Sequence, residues 1–138
     1  MPLLYYGDEY GEPGAGDPDN RRMMKWVGHS PFEQATLEWT RKLGSLRGSL
    51  PALQRGQRYT LHVEKDLYVY ARVIDGKMAI VGINRGGAGK TLQVGLRPEV
   101  ALADGTELTD RLGGVAAVVS GAKLPLTLPP RGAAIWTP

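Results

Sequence analysis

LYVYARVIDGKMAIVGIN, residues 67–84, decides the fold. Leu67, Val69, Ala71 and Val73 alternate with Tyr68, Tyr70 and Arg72, which is the period-2 pattern of a strand with one buried face. Asp75-Gly76 follows, a two-residue hairpin signal, because both positions of a type I′ turn need positive φ. The returning strand, 77–84, carries Met78 and Ile80 on one face and Ala79, Val81 and Ile83 on the other. Working outward, 58–63, 91–96, 115–119, 123–128 and 133–136 also read as strands, punctuated by Gly86-Gly87, Gly113-Gly114 and Pro129-Pro130. Short strands at this spacing indicate an antiparallel β-sandwich or a small barrel.

Upstream of the strands, residues 30–48 read as a helix. Ser30 is a good N-cap, Pro31 suits the first helical position, and Glu33 completes an S-x-x-E capping box. Phe32, Trp39, Leu43, Leu46 and Leu50 fall on one helical face, which places Trp39 in the core. Gly48 and Pro51 mark the expected end.

Residues 1–29 differ from the rest. Leu3-Leu4-Tyr5-Tyr6 is a short apolar run without alternation, the pattern of a strand buried on both faces. A Gly/Pro-rich loop follows, with Asp8, Glu9, Glu12, Asp17 and Asp19 and no basic residue before Arg21. A strand of that kind needs neighbours on both edges, so within this chain it is orphaned and free to pair with another copy.

Composition narrows the function classes. With 42% hydrophobic and 22% charged residues the 138-residue chain has a globular balance, and no apolar run is long enough for a membrane span. There are no cysteines, so thiol chemistry and cysteine metal sites are excluded. The net charge of +3 is spread singly through the strand segments, without the basic clusters and interleaved aromatics of a nucleic-acid binder. His29 and His62 lack metal spacing, and the acidic loop lacks calcium-loop spacing, so no metal or cofactor is expected. Gly86–Lys90 has neither the spacing nor the following helix of a phosphate loop and reads as a hairpin turn.

Several words resemble the α-amylase family of glycoside hydrolases. Pro2-Leu3-Leu4-Tyr5-Tyr6-Gly7-Asp8-Glu9 resembles the eighth strand of its barrel, and Asp17-Pro18-Asp19-Asn20-Arg21, with Met24 and Trp26, the loop that follows. Arg41-Lys42-Leu43, Leu46-Arg47 and Pro51-Ala52-Leu53 resemble the last barrel helix and its exit. Val69-Tyr70-Ala71-Arg72, Val81-Gly82-Ile83-Asn84 and Leu126 through Ala134 resemble the C-terminal β-sandwich. The nearest members are neopullulanase, cyclomaltodextrinase and maltogenic amylase.

The resemblance implies a mainly β fold, an antiparallel sandwich at 57–138, preceded at 1–56 by the last strand, loop and helix of a (β/α)₈ barrel. It implies α-glucan oligosaccharides, starch- or maltodextrin-like, as the partner. It also implies that the three catalytic carboxylates precede Met1, so that no catalytic residue is expected here and the isolated chain is expected to be inactive. Retention needs two carboxyl groups about 5–5.5 Å apart, and the resemblance supplies neither. The start of the chain shows no signal peptide, but a start within a larger protein leaves the compartment unread.

By the same resemblance, Asp17 and Arg21 hydrogen-bond a glucose unit on the non-reducing side of the cleavage point. A carboxylate accepts from vicinal hydroxyls and a guanidinium donates a planar fork. The plainer reading is an ion pair that shapes the loop. Tyr68 and Tyr70, at i and i+2 on one strand face, are the best candidates for an exposed sugar platform, set against core packing as the ordinary reading. The remaining functional alternatives are a stand-alone carbohydrate-binding module and a purely structural domain covering the barrel.

Overall fold

The computed structural model describes residues 3–138. The chain divides into two compact units, Met1–Leu46 and Arg47–Pro138.

In the first unit a long loop precedes a helix, α1 (Pro31–Ser49), which runs into the second unit. Its start follows from two reciprocal bonds: the Ser30 amide donates to Glu33 Oε2 at 2.6 Å, and the Glu33 amide donates to Ser30 Oγ at 3.3 Å. The apolar stripe exists, but α1 buries none of its residues. Trp39, expected in the core, is 51% exposed with Lys42 Nζ 5.4 Å above its ring, and Phe32 is 74% exposed. Periodicity defines a face, and nothing among the described residues of α1 becomes buried on it. Pro51, expected as a stop, instead opens a second helix, α2 (Pro51–Arg55), in the N1 position where its missing N–H costs nothing.

Residues 3–6, expected as a strand, form none. Leu3, Leu4, Tyr5 and Tyr6 are exposed, and the backbone there is engaged by Asp8, whose amide donates to the Tyr5 carbonyl and whose carboxylate accepts from the Tyr5 amide. An apolar run of this kind becomes a strand only when neighbours pair its edges.

The second unit is an antiparallel sandwich. Its strands are β1 (Gln57–Val63), β2 (Leu67–Ile74), β3 (Lys77–Asn84), β4 (Lys90–Gly95), β5 (Glu107–Asp110), β6 (Ala117–Val118), β7 (Lys123–Leu128) and β8 (Gly132–Thr137), with a 3₁₀ turn at Pro98–Val100. One sheet has the order β1-β2-β3-β8-β5-β6 and the other pairs β4 with β7. The 67–84 hairpin folds as its pattern requires: Leu67 faces Asn84, Ile74 faces Lys77, and Asp75 (φ 48°) and Gly76 (φ 72°) make the left-handed turn. The short β5 has no counterpart in the sequence reading.

The core fills the space between the sheets. Leu67, Val69, Ala71 and Ile80 meet Val94, Leu124, Leu126 and Leu128, with Trp136 fully buried among them. Gly82 is built into this layer, since a Cβ there would sit 2.9 Å from Leu128 Cδ2 and 3.0 Å from Trp136 Cζ3. Buried Asn84 ties the sheet ends together. Its Nδ2 donates to the carbonyls of Ala88 and Pro129, both at 2.9 Å, and its Oδ1 accepts from the Gly86 amide.

Candidate functional site

The acidic loop of the first unit is wrapped around one residue. Tyr10 is buried, its hydroxyl accepting from the Lys25 amide at 3.0 Å, and its ring meets the His29 ring edge-on at 4.7 Å. Gly7, Gly11 and Gly28 take positive φ where the loop turns about it.

Each acidic side chain of the loop is engaged by a neighbour. Asp8 accepts from the Tyr5 amide and Glu9 from the Gly7 amide. Asp19 accepts from the Ala15 amide and is held by Arg22 at 2.8 and 3.0 Å, a two-pronged contact that also brings Arg22 within 3.8 Å of Glu12. The Arg22 guanidinium, and then the Ala15 amide, keep the Asp19 carboxyl below its ordinary range. Asp17 pairs with Arg21 at 2.7 Å, across a turn in which the Arg21 amide donates to the Pro18 carbonyl and the Asp17–Pro18 bond is cis.

Asp17 and Arg21, singled out in the sequence, are thus brought together. Both side chains face solvent, 61% and 70% exposed, and remain open to an incoming ligand. The same loop also forms a cleft of about 270 Å³ whose lining includes Tyr5, Tyr6, Asp8, Glu12, Asn20 and Arg22 but neither Asp17 nor Arg21. The sequence reading missed the Asp19–Arg22 pair and the Lys25–Glu33 pair at 2.7 Å. The i,i+3 spacing of the first was visible, while the second spans eight residues across a loop and left no local signal. Among the described residues no group of three or more His, Asp or Glu converges as a metal site.

Tyr68 and Tyr70 lie in the second unit on the sheet face opposite Leu67, Val69 and Ala71. They are half-buried and belong to the surface side of β2, so the core reading of this pair is corrected. Their ring centroids are 5.2 Å apart at a 31° tilt, and the Tyr68 hydroxyl lies 3.3 Å from Thr60 Oγ1. His62 is paired with Glu64 at 3.0 Å.

No family model matches the chain. Individual proteins do. An amylopullulanase of Thermoanaerobacter thermohydrosulfuricus is 35% identical over 135 residues, which is 90% of this chain and 9% of that protein. Neopullulanase 2 of Thermoactinomyces vulgaris is 33% identical over 138 residues, 98% of this chain and 23% of that protein. Among solved structures, the α-amylase of Geobacillus thermoleovorans in complex with acarbose superposes with a TM-score of 0.84 at 26% identity, covering 99% of this chain and 29% of that one. This chain therefore spans less than a third of the length of each of these three proteins. In sequence and in fold it is a homologue of α-amylase-family enzymes, matching one portion of each in a manner consistent with their C-terminal domain.

Proposed function

We propose that this chain is the C-terminal portion of an α-amylase-family glycosidase that acts on α-glucans. On this reading residues 1–56 are the end of its barrel and 57–138 its sandwich. Asp17 and Arg21 hold a glucose unit of the substrate, and the chain by itself is not catalytic. The observation that carries the reading is the exposed Asp17–Arg21 pair at 2.7 Å, on a loop whose other carboxylates are already engaged. A general acid needs a raised pKa in a rigid, partly dry site, and the Asp19 carboxyl is instead held low by the Arg22 guanidinium. Asp17 and Arg21, paired to each other and both exposed, suit hydroxyl recognition: an acceptor and a planar donor side by side.

The test uses the purified chain and maltoheptaose. No hydrolysis above buffer is expected, while amide resonances of the 15–22 loop shift on titration and cease to shift in Asp17→Asn. Turnover that survives rigorous removal of contaminating amylase would overturn the non-catalytic reading. A silent loop at about 10 mM sugar, a concentration that detects even millimolar binding, would overturn the subsite.

The Tyr68–Tyr70 ring pair favours a second reading, a sugar platform on the sandwich itself. Loss of maltoheptaose binding in Tyr68→Ala but not in Asp17→Ala would place the affinity there. Exposed Leu3, Leu4 and Tyr5 also support self-association through the N-terminal segment. Size-exclusion chromatography over a range of concentrations tests it, and a strictly monomeric chain would rule it out.

A further inference from the structure

The outer face of β1 and β2 carries a concentration of positive charge that no carboxylate balances. Arg58 and Arg72 are direct cross-strand partners, and Thr60 and Tyr70 form the next pair on the same face. Like charges directly opposite each other weaken a sheet. Arg72 uses its Nε on the Gly56 carbonyl at 2.7 Å, and Arg47 donates to the carbonyls of Leu53 and Gln54, so both also cap the C-terminal end of α2. Arg58 is exposed and has no such duty. Among the described residues none of the ion pairs reaches any of the three. Burial pushes the Tyr70 phenol above its ordinary range, while Arg72, Arg58 and Arg47 all pull against that shift, so all three charges are felt at the ring.

We propose that this face binds an anionic sugar, with a phosphate monoester held by Arg58 and Arg72 and its sugar ring resting on Tyr68 and Tyr70. A phosphate monoester carries up to about two negative charges at neutral pH, the charge that would balance two arginines at paired cross-strand positions. Their planar forks match its oxygens better than an ammonium would. The Tyr70 hydroxyl adds a donor on the same face, where Thr60 Oγ1 holds the Tyr68 hydroxyl at 3.3 Å. The inference rests on the platform reading of Tyr68 and Tyr70 and adds to it the charge of the ligand.

The experiment is a set of titrations of the whole chain at constant ionic strength, with glucose 6-phosphate, glucose, maltoheptaose and inorganic phosphate as probes. Glucose 6-phosphate is expected to bind about tenfold more tightly than glucose or inorganic phosphate, the share of one charge-assisted contact. Arg58→Gln, at an exposed position with no structural bond, is expected to remove that advantage and to flatten the salt dependence. Tyr68→Ala is expected to weaken glucose 6-phosphate and leave inorganic phosphate unchanged. Equal affinity for inorganic phosphate and glucose 6-phosphate would overturn the proposal in favour of a plain anion site. Binding of maltoheptaose at Tyr68 with no gain from the phosphate would overturn it while leaving the platform standing. If neither sugar binds and Arg58→Gln changes nothing, both readings fail together.

Discussion

The Asp110 carboxylate accepts from the Gly114 amide at 2.9 Å, so closely that a Cβ at position 114 would lie 2.4 Å from Asp110 Oδ2. The same carboxylate accepts from the amides of Leu112 and Ile135 at 2.9 and 3.0 Å. It stands where the β5–β8 ladder stops, and it satisfies the Ile135 amide that the ladder leaves behind.

Asp110 is buried, so its loss strands the buried Ile135 amide and releases the part-buried amides of Leu112 and Gly114. Asp110→Ala is expected to destabilise the sandwich by about 3 kcal/mol, the scale of stranded bonds to an ionised group. Gly114→Ala displaces the carboxylate and is expected to cost about 1–3 kcal/mol by overpacking. Urea unfolding followed by the fluorescence of buried Trp136 checks both, and a midpoint unchanged in either variant would contradict this account.

Gly82 makes a second packing prediction. It sits opposite Ala134 in the β3–β8 ladder, under Leu128 and the Trp136 ring. Neither neighbour is the free end of a surface side chain, so an added methyl must move core atoms. Gly82→Ala is expected to lose about 1–3 kcal/mol, and the double variant Gly82→Ala/Leu128→Ala to be less destabilised than the sum of the two single changes. A double mutant no more stable than the sum of its parts would show that Leu128 is not the obstacle.

What the sequence made legible follows from how local each signal is. The 67–84 hairpin was readable because alternation and Asp75-Gly76 are both written within eighteen residues. β5 was not, since four residues with an aspartate on the buried side look like loop, and Asp110 is met there by two amides of the turn that follows it and by the Ile135 amide from β8. The stripe on α1 was legible as a stripe, but what covers a face is not a property of the helix, and Trp39 proved exposed. The Tyr68–Tyr70 pair shows the converse. Alternation with Leu67, Val69 and Ala71 already points both rings away from the core, against the core packing weighed as their ordinary reading. At the candidate site, Asp17 and Arg21 were found by motif, while the Tyr10 hub that shapes their loop depends on bonds fifteen residues apart.

The α1 stripe yields a prediction of its own. Phe32 and Trp39 bury too little surface in this chain to stabilise it, so Phe32→Gln and Trp39→Gln are expected to change unfolding by no more than about 0.5 kcal/mol. Solubility is expected to rise, because an exposed apolar stripe is an aggregation surface. A loss of several degrees in Tm for Trp39→Gln would mean that the stripe is covered in solution.

The capping box of α1 is tuned by charge. Lys25 first, then the Ser30 amide and hydroxyl, hold the Glu33 carboxyl down at about 2, against an ordinary value of 4.5. A carboxyl depressed on folding stabilises the folded form above its unfolded pKa and ceases to do so as pH falls through the folded one. The start of α1 is therefore expected to hold unchanged from neutral pH down to near 4.5 and to weaken progressively between there and about 2. The Ser30 amide resonance, which reports the 2.6 Å bond, is the direct probe. In Glu33→Gln that acid-dependent change is expected to vanish, and its persistence would assign the transition to another carboxyl.

The Asp17–Arg21 pair separates a structural from a functional role by magnitude. Both side chains are largely in water, and an exposed ion pair contributes about 0.2–1 kcal/mol before screening. Asp17→Asn and Arg21→Gln are each expected to leave thermal unfolding within about a degree or two of the parent, since so small a term shifts Tm little in a chain of this length. If the pair serves a sugar, the same substitutions weaken maltoheptaose binding about tenfold each, as loss of a charged partner to a hydroxyl would. The double variant is then expected to bind little worse than either single one, because acceptor and donor engage the same glucose unit and their contributions are coupled. Unchanged binding together with a large fall in Tm would make the pair a loop brace and nothing more.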